Sequence, residues 1–283
     1  MPKIIDGRVI SAAAKDAVRE EVAKLKEKGI ETCLAVIIVG DDPASKIYVA
    51  NKEKACEYTG IRSEKYALPA DTTMEQLISL IDRLNADPAV NGILCQLPLP
   101  RGLNEQKVID AISPEKDVDA FHPVNVGKIM TGNFDFLPCT PAGIMEMLRY
   151  EGIDVEGKQC VVIGRSNIVG KPMSMLLLHK NATVTICHSR TRDLPSVTRT
   201  ADVLVSAVGR ANFVTPDMVK EGAVVIDVGM NRDADGKLCG DVDYAAVSPL
   251  ASAITPVPGG VGPMTIAMLM KNTLTAVRKQ NNV

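Results

Sequence analysis

Short apolar runs alternate with helix signals along the chain, and this alternation constrains the fold more than any other feature. Residues 34–39 are a continuous apolar run of a kind that predicts a strand buried on both faces, and residues 159–163, apolar after Gln159, predict a second strand. Between the runs lie helix starts, such as Asp42 followed by Pro43 and a capping-box pattern that begins at Thr73. Strands that alternate with helices imply parallel sheets with right-handed crossovers. The sequence therefore predicts an α/β protein.

Two domains are expected, because 283 residues suffice for two cores of ordinary size. The natural division lies near residues 120–140, where the first series of strands and helices ends. A Pro- and Gly-rich return at residues 256–263 precedes a final helix, predicted over 264–279. The pattern of that helix does not tell which domain it packs on.

Composition argues against several classes of protein. The formal net charge is -2, with 32 basic and 34 acidic residues, so we expect neither a nucleic-acid binder nor a membrane-surface binder. No apolar stretch is long enough to cross a bilayer. The seven cysteines show no CxxC spacing, and the three histidines have no ligand spacing, so we expect no metal. Reduced thiols fit a cytoplasmic protein.

A glycine turn at residues 164–170 follows the strand 159–163 and precedes a helix predicted over 168–180. Such a turn aims backbone N–H groups and the positive end of a helix at a phosphate. It departs from the GxGxxG pattern, because Ser166 replaces the second glycine and Gly170 lies four residues beyond it. A tight strand-to-helix connection would look the same, so the turn alone leaves both interpretations open.

The segment after the next predicted strand, 183–187, indicates which nicotinamide cofactor is bound. NAD-binding folds place an Asp or Glu there to bind the ribose hydroxyls. Here Ser189, Arg190 and Arg192 follow the strand, and no carboxylate does. Ser and Arg can bind a 2′-phosphate, which a carboxylate would repel, and Arg165 in the turn adds positive charge. The sequence therefore predicts NADP, with a solvated basic loop as the alternative.

A second polar group is predicted at strand ends in the first half of the chain. Tyr48 and Lys52 share one face of the helix that follows the first buried strand. Gln96 ends the strand 92–95, and Asp119 lies in a nearby loop. Ligands of α/β folds bind at the carboxyl edge of the sheet, so these side chains are expected to converge there. A partly buried lysine beside polar groups can donate or accept a proton. Surface charge, strand capping and turn chemistry are the structural alternatives.

Six motifs occur in a specific order. They are residues 48–52, 96–100, 116–119, 138–141, 164–170 and 254–265. Together they resemble the bifunctional methylenetetrahydrofolate dehydrogenase/methenyltetrahydrofolate cyclohydrolase family, the FolD type. The resemblance extends over nearly the whole chain, and no single motif carries it.

The resemblance implies two successive reactions of one-carbon metabolism, which supplies purine biosynthesis. A hydride passes from 5,10-methylenetetrahydrofolate to NADP, and water then converts the methenyl product to 10-formyltetrahydrofolate. Lys52 is implied as the acid/base group, Gln96 as its positioning partner, Tyr48 as a stacking group and Asp119 as the pterin ligand. Tetrahydrofolate derivatives are thus the expected partners. The implied folate contacts are Tyr48, Lys52, Gln96, Leu97, Asp119, Pro258, Gly259 and Gly260.

The resemblance also implies cofactor contacts and a domain division. Residues 1–139 plus 264–283 would form a folate-binding catalytic domain, and residues 140–263 a Rossmann-like NADP-binding domain, with the active-site cleft between them. A homodimer is implied as well. The implied cofactor contacts are Gly164, Arg165, Ser166, Ser189, Arg190 and Met230.

One position departs from the family's pattern, because Ala120 follows Asp119 where glycine is expected. If the backbone there has a positive φ, alanine costs about 1 kcal/mol of local strain. Two other functions stay open at this stage. One is a monofunctional dehydrogenase that releases methenyltetrahydrofolate, and the other is a catalytically silent NADP-binding sensor or scaffold. The sensor would have no need for the group around Lys52.

Overall fold

A computed structural model of the protein describes residues 2–283. Its strands are β1 (Lys3–Ile4), β2 (Cys33–Val39), β3 (Arg62–Leu68), β4 (Gly92–Cys95), β5 (Gln159–Ile163), β6 (Thr183–Cys187), β7 (Val203–Ser206), β8 (Val224–Asp227), β9 (Asn231–Arg232), β10 (Leu238–Cys239) and β11 (Ala253–Ile254). Its helices are α1 (Gly7–Glu27), α2 (Pro43–Thr59), α3 (Met74–Ala86), α4 (Glu105–Ala111), α5 (Pro123–Thr131), α6 (Cys139–Tyr150), α7 (Gly170–Leu178), α8 (Leu194–Thr198), α9 (Tyr244–Val247) and α10 (Val261–Asn281), with a 3₁₀ helix at Pro216–Met218. This alternation confirms the predicted α/β class.

The chain divides into two compact units. The first unit contains Ala12–Cys139 and Ile266–Val283. The second unit contains the N-terminal segment that ends at Ser11, together with Thr140–Thr265.

The first unit is built on a three-stranded parallel sheet in the order β3-β2-β4. All residues of the central strand β2 are buried, as its continuous apolar run predicts. Ile37 of this strand packs with Leu77 and Ile81 of α3 and with Ile93 of β4 in one core. The helix α2 follows β2 at the carboxyl edge of the sheet.

The second unit contains a six-stranded parallel sheet in the order β1-β11-β8-β7-β5-β6. Val161 of β5, Leu204 of β7 and Val225 of β8 contribute to a shared core. The chain runs from β5 to β6 on one side and then returns to β7 on the other, so the strand order reverses between β5 and β7. In doubly wound sheets such a reversal marks the crevice where ligands bind.

The N-terminal segment groups with the second unit. The sequence predicts one domain over residues 1–139 plus 264–283, and the division into compact units places residues 2–11 with the larger sheet. The cause is β1, which pairs in parallel with β11 and so extends the larger sheet. The helix α1 follows directly and begins at Gly7, where the Asp6 carboxylate accepts a hydrogen bond from the Arg8 N–H at 2.9 Å.

Three general properties of the described residues bear on function. All seven cysteines are free thiols, and all but Cys239 are buried. Across residues 2–283, no group of three or more His, Cys, Asp or Glu side chains is arranged to hold a metal ion. Over the same range, no helix has both the length and the apolar character that a membrane span requires.

Candidate functional site

Lys52 is placed by a helix whose start is strongly specified. The Asp42 side chain accepts a hydrogen bond from the Ser45 N–H at 2.7 Å, and Pro43 occupies the first turn of α2. From the helix, the Lys52 Nζ donates a hydrogen bond of 2.8 Å to the Oε1 of Gln96, the residue after β4. The predicted lysine–amide pair is therefore formed.

Gln96 is held by a second contact. Its Nε2 donates to the carbonyl oxygen of Leu97 at 2.5 Å, which leaves Oε1 directed to Lys52. Leu97 also lines a small cavity together with Asp119 and Phe121. Tyr48, one turn before Lys52 on α2, keeps 39% of its surface exposed.

Asp119 lies in a loop that the neighbouring carboxylate stabilises. Asp117 is buried and accepts hydrogen bonds from the His122 N–H at 2.8 Å and from the Asn125 Nδ2 at 2.9 Å. Burial raises the pKa of Asp119 to about 6, and the Lys52 ammonium partly opposes this rise. The Asp117 carboxylate, by contrast, is engaged in holding the loop.

Ala120 has the positive φ for which the sequence predicts local strain. Its φ is 59°, in the left-handed region, and its side chain is fully buried. The condition for local strain at this position is therefore met.

Asn272 supports the same loop, and the sequence reasoning missed it. Its Nδ2 donates to the carbonyl oxygens of Val118 and Leu137, at 2.8 Å each. Cys139, whose Sγ lies 3.9 Å from the Asp119 Oδ1, is a third neighbour of this amide. The available signal was a polar residue among the apolar positions of α10, where it is 7% exposed.

The glycine turn has a backbone that only glycine fits. Gly164 has a φ of 132°, and a Cβ there would lie 2.5 Å from the carbonyl oxygen of Ala207. Ser166, at the position of the expected second glycine, accepts hydrogen bonds from the Val169 and Gly170 N–H groups, at 3.2 and 3.3 Å. Its hydroxyl thus caps the start of α7.

The basic segment, residues 189–192, begins next to this turn in the structure. β5 and β6 are paired neighbours, and the Gly164 N–H donates to the Cys187 carbonyl oxygen at 2.9 Å. The segments that follow the two strands therefore start side by side. Arg165, Ser189 and Arg190 are all exposed there.

The remaining predicted residues lie in other loops of the second unit. Met230 follows β8 and is 52% exposed. Pro258, Gly259 and Gly260 precede α10, and Gly259 has a φ of 103°. A Cβ on Gly260 would lie 2.5 Å from the Pro256 carbonyl oxygen, so the tight backbone of this loop requires glycine. Lys52, Gln96, Leu97, Asp119 and Tyr48 belong to the first unit.

Two sequence models match the chain. The tetrahydrofolate dehydrogenase/cyclohydrolase catalytic domain matches residues 5–119, and the NAD(P)-binding domain of the same family matches residues 138–281. The chain belongs to the tetrahydrofolate dehydrogenase/cyclohydrolase family. The predicted family is therefore confirmed.

Individual relatives agree with this membership. The bifunctional protein FolD of Agathobacter rectalis is 60% identical over 99% of this chain and 100% of its own. The crystal structure of the bifunctional enzyme FolD from Campylobacter jejuni is 50% identical, with a TM-score of 0.97 and full coverage of both chains. The FolD structure from Trypanosoma brucei, complexed with NADP and an inhibitor, is 41% identical with a TM-score of 0.94, again over both whole chains.

This family member is a bifunctional enzyme, a tetrahydrofolate dehydrogenase and cyclohydrolase with an NAD(P)-binding domain. The predicted pair of activities is confirmed, and the monofunctional alternative has no comparable support. The two-domain α/β fold with parallel sheets is confirmed as well.

Proposed function

We propose that this enzyme oxidises 5,10-methylenetetrahydrofolate with NADP and hydrolyses the methenyl product to 10-formyltetrahydrofolate, with Lys52 as the acid/base group. The 2.8 Å hydrogen bond between the Lys52 Nζ and the Gln96 Oε1, beside the partly buried Asp119, carries this proposal. The lysine is held at one point, and its amide partner cannot exchange a proton with it. Lys52 is therefore free to exchange one with a substrate.

In the dehydrogenase step, the chain mainly has to align the folate with the nicotinamide ring. NADP, when bound, supplies the nicotinamide ring that accepts the hydride from the methylene carbon. Because the hydride carries both electrons of its C–H bond, the folate product is a methenyl cation, and no side chain has to move a proton. Tyr48, Leu97 and Asp119 would position the folate, together with Pro258, Gly259 and Gly260.

The cyclohydrolase step needs a proton carrier. Water adds to the methenyl carbon, and the bond from that carbon to N5 then breaks. One of the two water protons ends on N5 and the other is released to solvent as the C=O bond forms, so a formyl group stays on N10. As an amine, Lys52 can accept the proton from water and afterwards return it to N5 as the bond breaks. Gln96 holds the Nζ in one place through both transfers, which makes it a positioning residue.

NADP is proposed over NAD because of the segment after β6. Ser189 and Arg190 are exposed next to the glycine turn, and Arg165 lies within it. The backbone at Gly164, which has no Cβ, lets a phosphate approach the chain closely, and the three side chains suit the additional 2′-phosphate. Met230 and Ser166 complete the proposed cofactor contacts. The Trypanosoma brucei relative with bound NADP supports this choice.

We also propose that the enzyme is a cytoplasmic homodimer. Its seven free thiols fit a reducing compartment. The dimer is what the resemblance to the FolD type implies.

A product-resolved assay with Lys52→Met tests the lysine's role. We expect hydrolysis of methenyltetrahydrofolate to fall by at least about 100-fold, because the proton carrier is lost. NADP binding should be unchanged. Lys54→Met is the matched control, since Lys54 is an exposed lysine of the same helix, and it should hydrolyse the substrate like the wild type. Intact hydrolysis in Lys52→Met would disprove the proposed mechanism, and methenyltetrahydrofolate accumulating in the wild type would favour the monofunctional alternative.

A further inference from the structure

A fully buried carboxylate lies at the carboxyl edge of the six-stranded sheet. Asp241 is 0% exposed. Its two oxygens accept hydrogen bonds from three consecutive backbone N–H groups, those of Val208 at 2.7 Å, Gly209 at 3.3 Å and Arg210 at 2.9 Å. Successive N–H groups that point to one spot form an anion-binding concavity. Here the chain's own carboxylate fills it.

Two side chains complete the set of donors. The hydroxyl of Ser206, the last residue of β7, donates to Asp241 at 3.2 Å. The Nδ2 of Asn231, which follows β8 by a few residues, donates at 2.9 Å. β7 and β8 are paired neighbours in the sheet. One carboxylate therefore fixes the segments that leave two adjacent strands.

The first of these segments packs directly on the glycine turn. The carbonyl oxygen of Ala207 lies only 2.5 Å from the position that a Cβ on Gly164 would take. Ala207 immediately precedes the three N–H groups that Asp241 binds. The contact is also at the reversal of strand order between β5 and β7, where doubly wound sheets bind ligands. The second segment contains Met230, a proposed cofactor contact.

Asp241 is itself held by a second carboxylate. The Asp227 side chain accepts hydrogen bonds from the N–H groups of Asp241 and Val242, at 2.9 Å each, and of Gly229, at 2.8 Å. Gly240 has no room for a Cβ against this carboxylate. Burial and the nearby Asp241 raise the pKa of Asp227 to about 6. Apolar side chains in place of Asp227 and Asp241 would avoid the cost of burying charge, so packing alone does not explain the two carboxylates.

We infer that Asp241 is a positioning residue for the dehydrogenase reaction, because it fixes the backbone segments on which NADP binding depends. The inference rests on the proposed function and deepens it. All of its contacts lie in the second unit, whereas Lys52, Gln96 and Asp119 lie in the first. Loss of the carboxylate should therefore weaken the NADP-dependent oxidation and leave the hydrolysis of methenyltetrahydrofolate intact.

Asp241→Asn provides the test. Both oxygens of Asp241 face donors, so an amide NH2 at either position would oppose an N–H group. We expect the KM for NADP to rise at least about tenfold, equivalent to about 1.4 kcal/mol. Hydrolysis of added methenyltetrahydrofolate, measured without NADP, should stay within about twofold of the wild type. A merely structural residue would not separate the two activities.

Two further variants keep the test decisive. Asp243→Asn removes the same charge two residues away, where the carboxylate only caps α9 through the Ala246 N–H at 3.2 Å, and should leave the KM for NADP unchanged.

Asn231→Ala removes one donor and leaves the carboxylate in place. It should raise the KM for NADP by about threefold, with hydrolysis retained. If Asp241→Asn does not fold, Asn231→Ala decides the question.

Two results would overturn the inference. One is an equal loss of both activities in folded Asp241→Asn and Asn231→Ala, and the other is a KM for NADP like that of the wild type in both. Failure of the proposed function looks different, because the wild-type enzyme itself would then not reduce NADP with methylenetetrahydrofolate.

Discussion

Ala120 holds a left-handed backbone conformation that glycine would adopt with less strain. Its φ is 59°, and it directly follows Asp119 in the loop that carries the proposed pterin ligand. Ala120→Gly should therefore stabilise the protein by about 0.5–1 kcal/mol, since the relief of strain exceeds the entropy cost of glycine. Chemical or thermal unfolding of the purified variant measures this gain.

Ala13→Gly is the control for this substitution. Ala13 is exposed within α1, where glycine is unfavourable, so the variant should lose about 1 kcal/mol. The two alanine-to-glycine changes should thus have opposite signs. A loss of stability in both would show that the left-handed residue is not strained.

Asp119 makes stability depend on pH. Its pKa is about 6 in the folded protein, against an ordinary value of 3.8, because burial disfavours the charged form. The folded state therefore binds the proton more tightly than the unfolded state does. The resulting stabilisation is complete below about pH 4 and is lost as the pH rises through about 6, by at most about 3 kcal/mol.

Asp119→Asn should remove this dependence, because an amide is neutral at every pH in the range. Relative to the wild type, the variant should unfold at progressively higher temperatures as the pH is raised from 4 to 7. Asp82→Asn serves as the control, since Asp82 is an exposed carboxylate on α3, and its unfolding midpoint should follow that of the wild type. Parallel curves for Asp119→Asn and the wild type would contradict the assigned burial of the charge.

At the scale of elements, the sequence was most informative where local chemistry alone decides the structure. Asp42 and Pro43 start α2 where expected, and the Thr73–Gln76 capping box is formed at α3. Buried parallel strands such as β2 and β5 were located from their apolar runs. Signals of this kind lie within a few residues, so they need no knowledge of the rest of the fold.

Elements that depend on distant partners were missed. β3 carries charged residues such as Arg62 and Glu64 and lies at the edge of its sheet, so it lacks a buried apolar run. β1 has only two residues, and its pairing with β11 spans nearly the whole chain. The start of α5 was missed because the ring of His122, which is not a usual cap, accepts the hydrogen bond from the Val124 N–H.

The same distinction applies to the site. Lys52 and Gln96 could be paired from the sequence because both follow neighbouring strands at one sheet edge. The roles of Asn272 and Asp241 could not be predicted from the sequence. Each of them binds backbone groups that are distant in sequence, Val118 for Asn272 and Val208 for Asp241. A side chain that holds a loop leaves no local pattern, and only the folded chain reveals which backbone groups it satisfies.

At the scale of the whole molecule, cofactor binding should appear as stability. A ligand that binds only the folded state stabilises it by about 2.7 kcal/mol at 100 times its dissociation constant. NADP should therefore raise the unfolding midpoint more than the same concentration of NAD, because only NADP carries the 2′-phosphate that the basic segment after β6 would bind. Differential scanning fluorimetry with both cofactors in parallel measures the difference.

The variants separate cofactor binding from catalysis. Arg190→Ala should reduce the NADP shift towards that of NAD, whereas Arg199→Ala, whose guanidinium bonds the Asp217 carbonyl oxygen, should not. Lys52→Met should keep the full NADP shift, because Lys52 lies in the first unit and the proposed cofactor contacts lie in the second. Equal shifts with NAD and NADP in the wild type would show that the basic segment is a solvated loop, and the choice of NADP would then lose its physical basis.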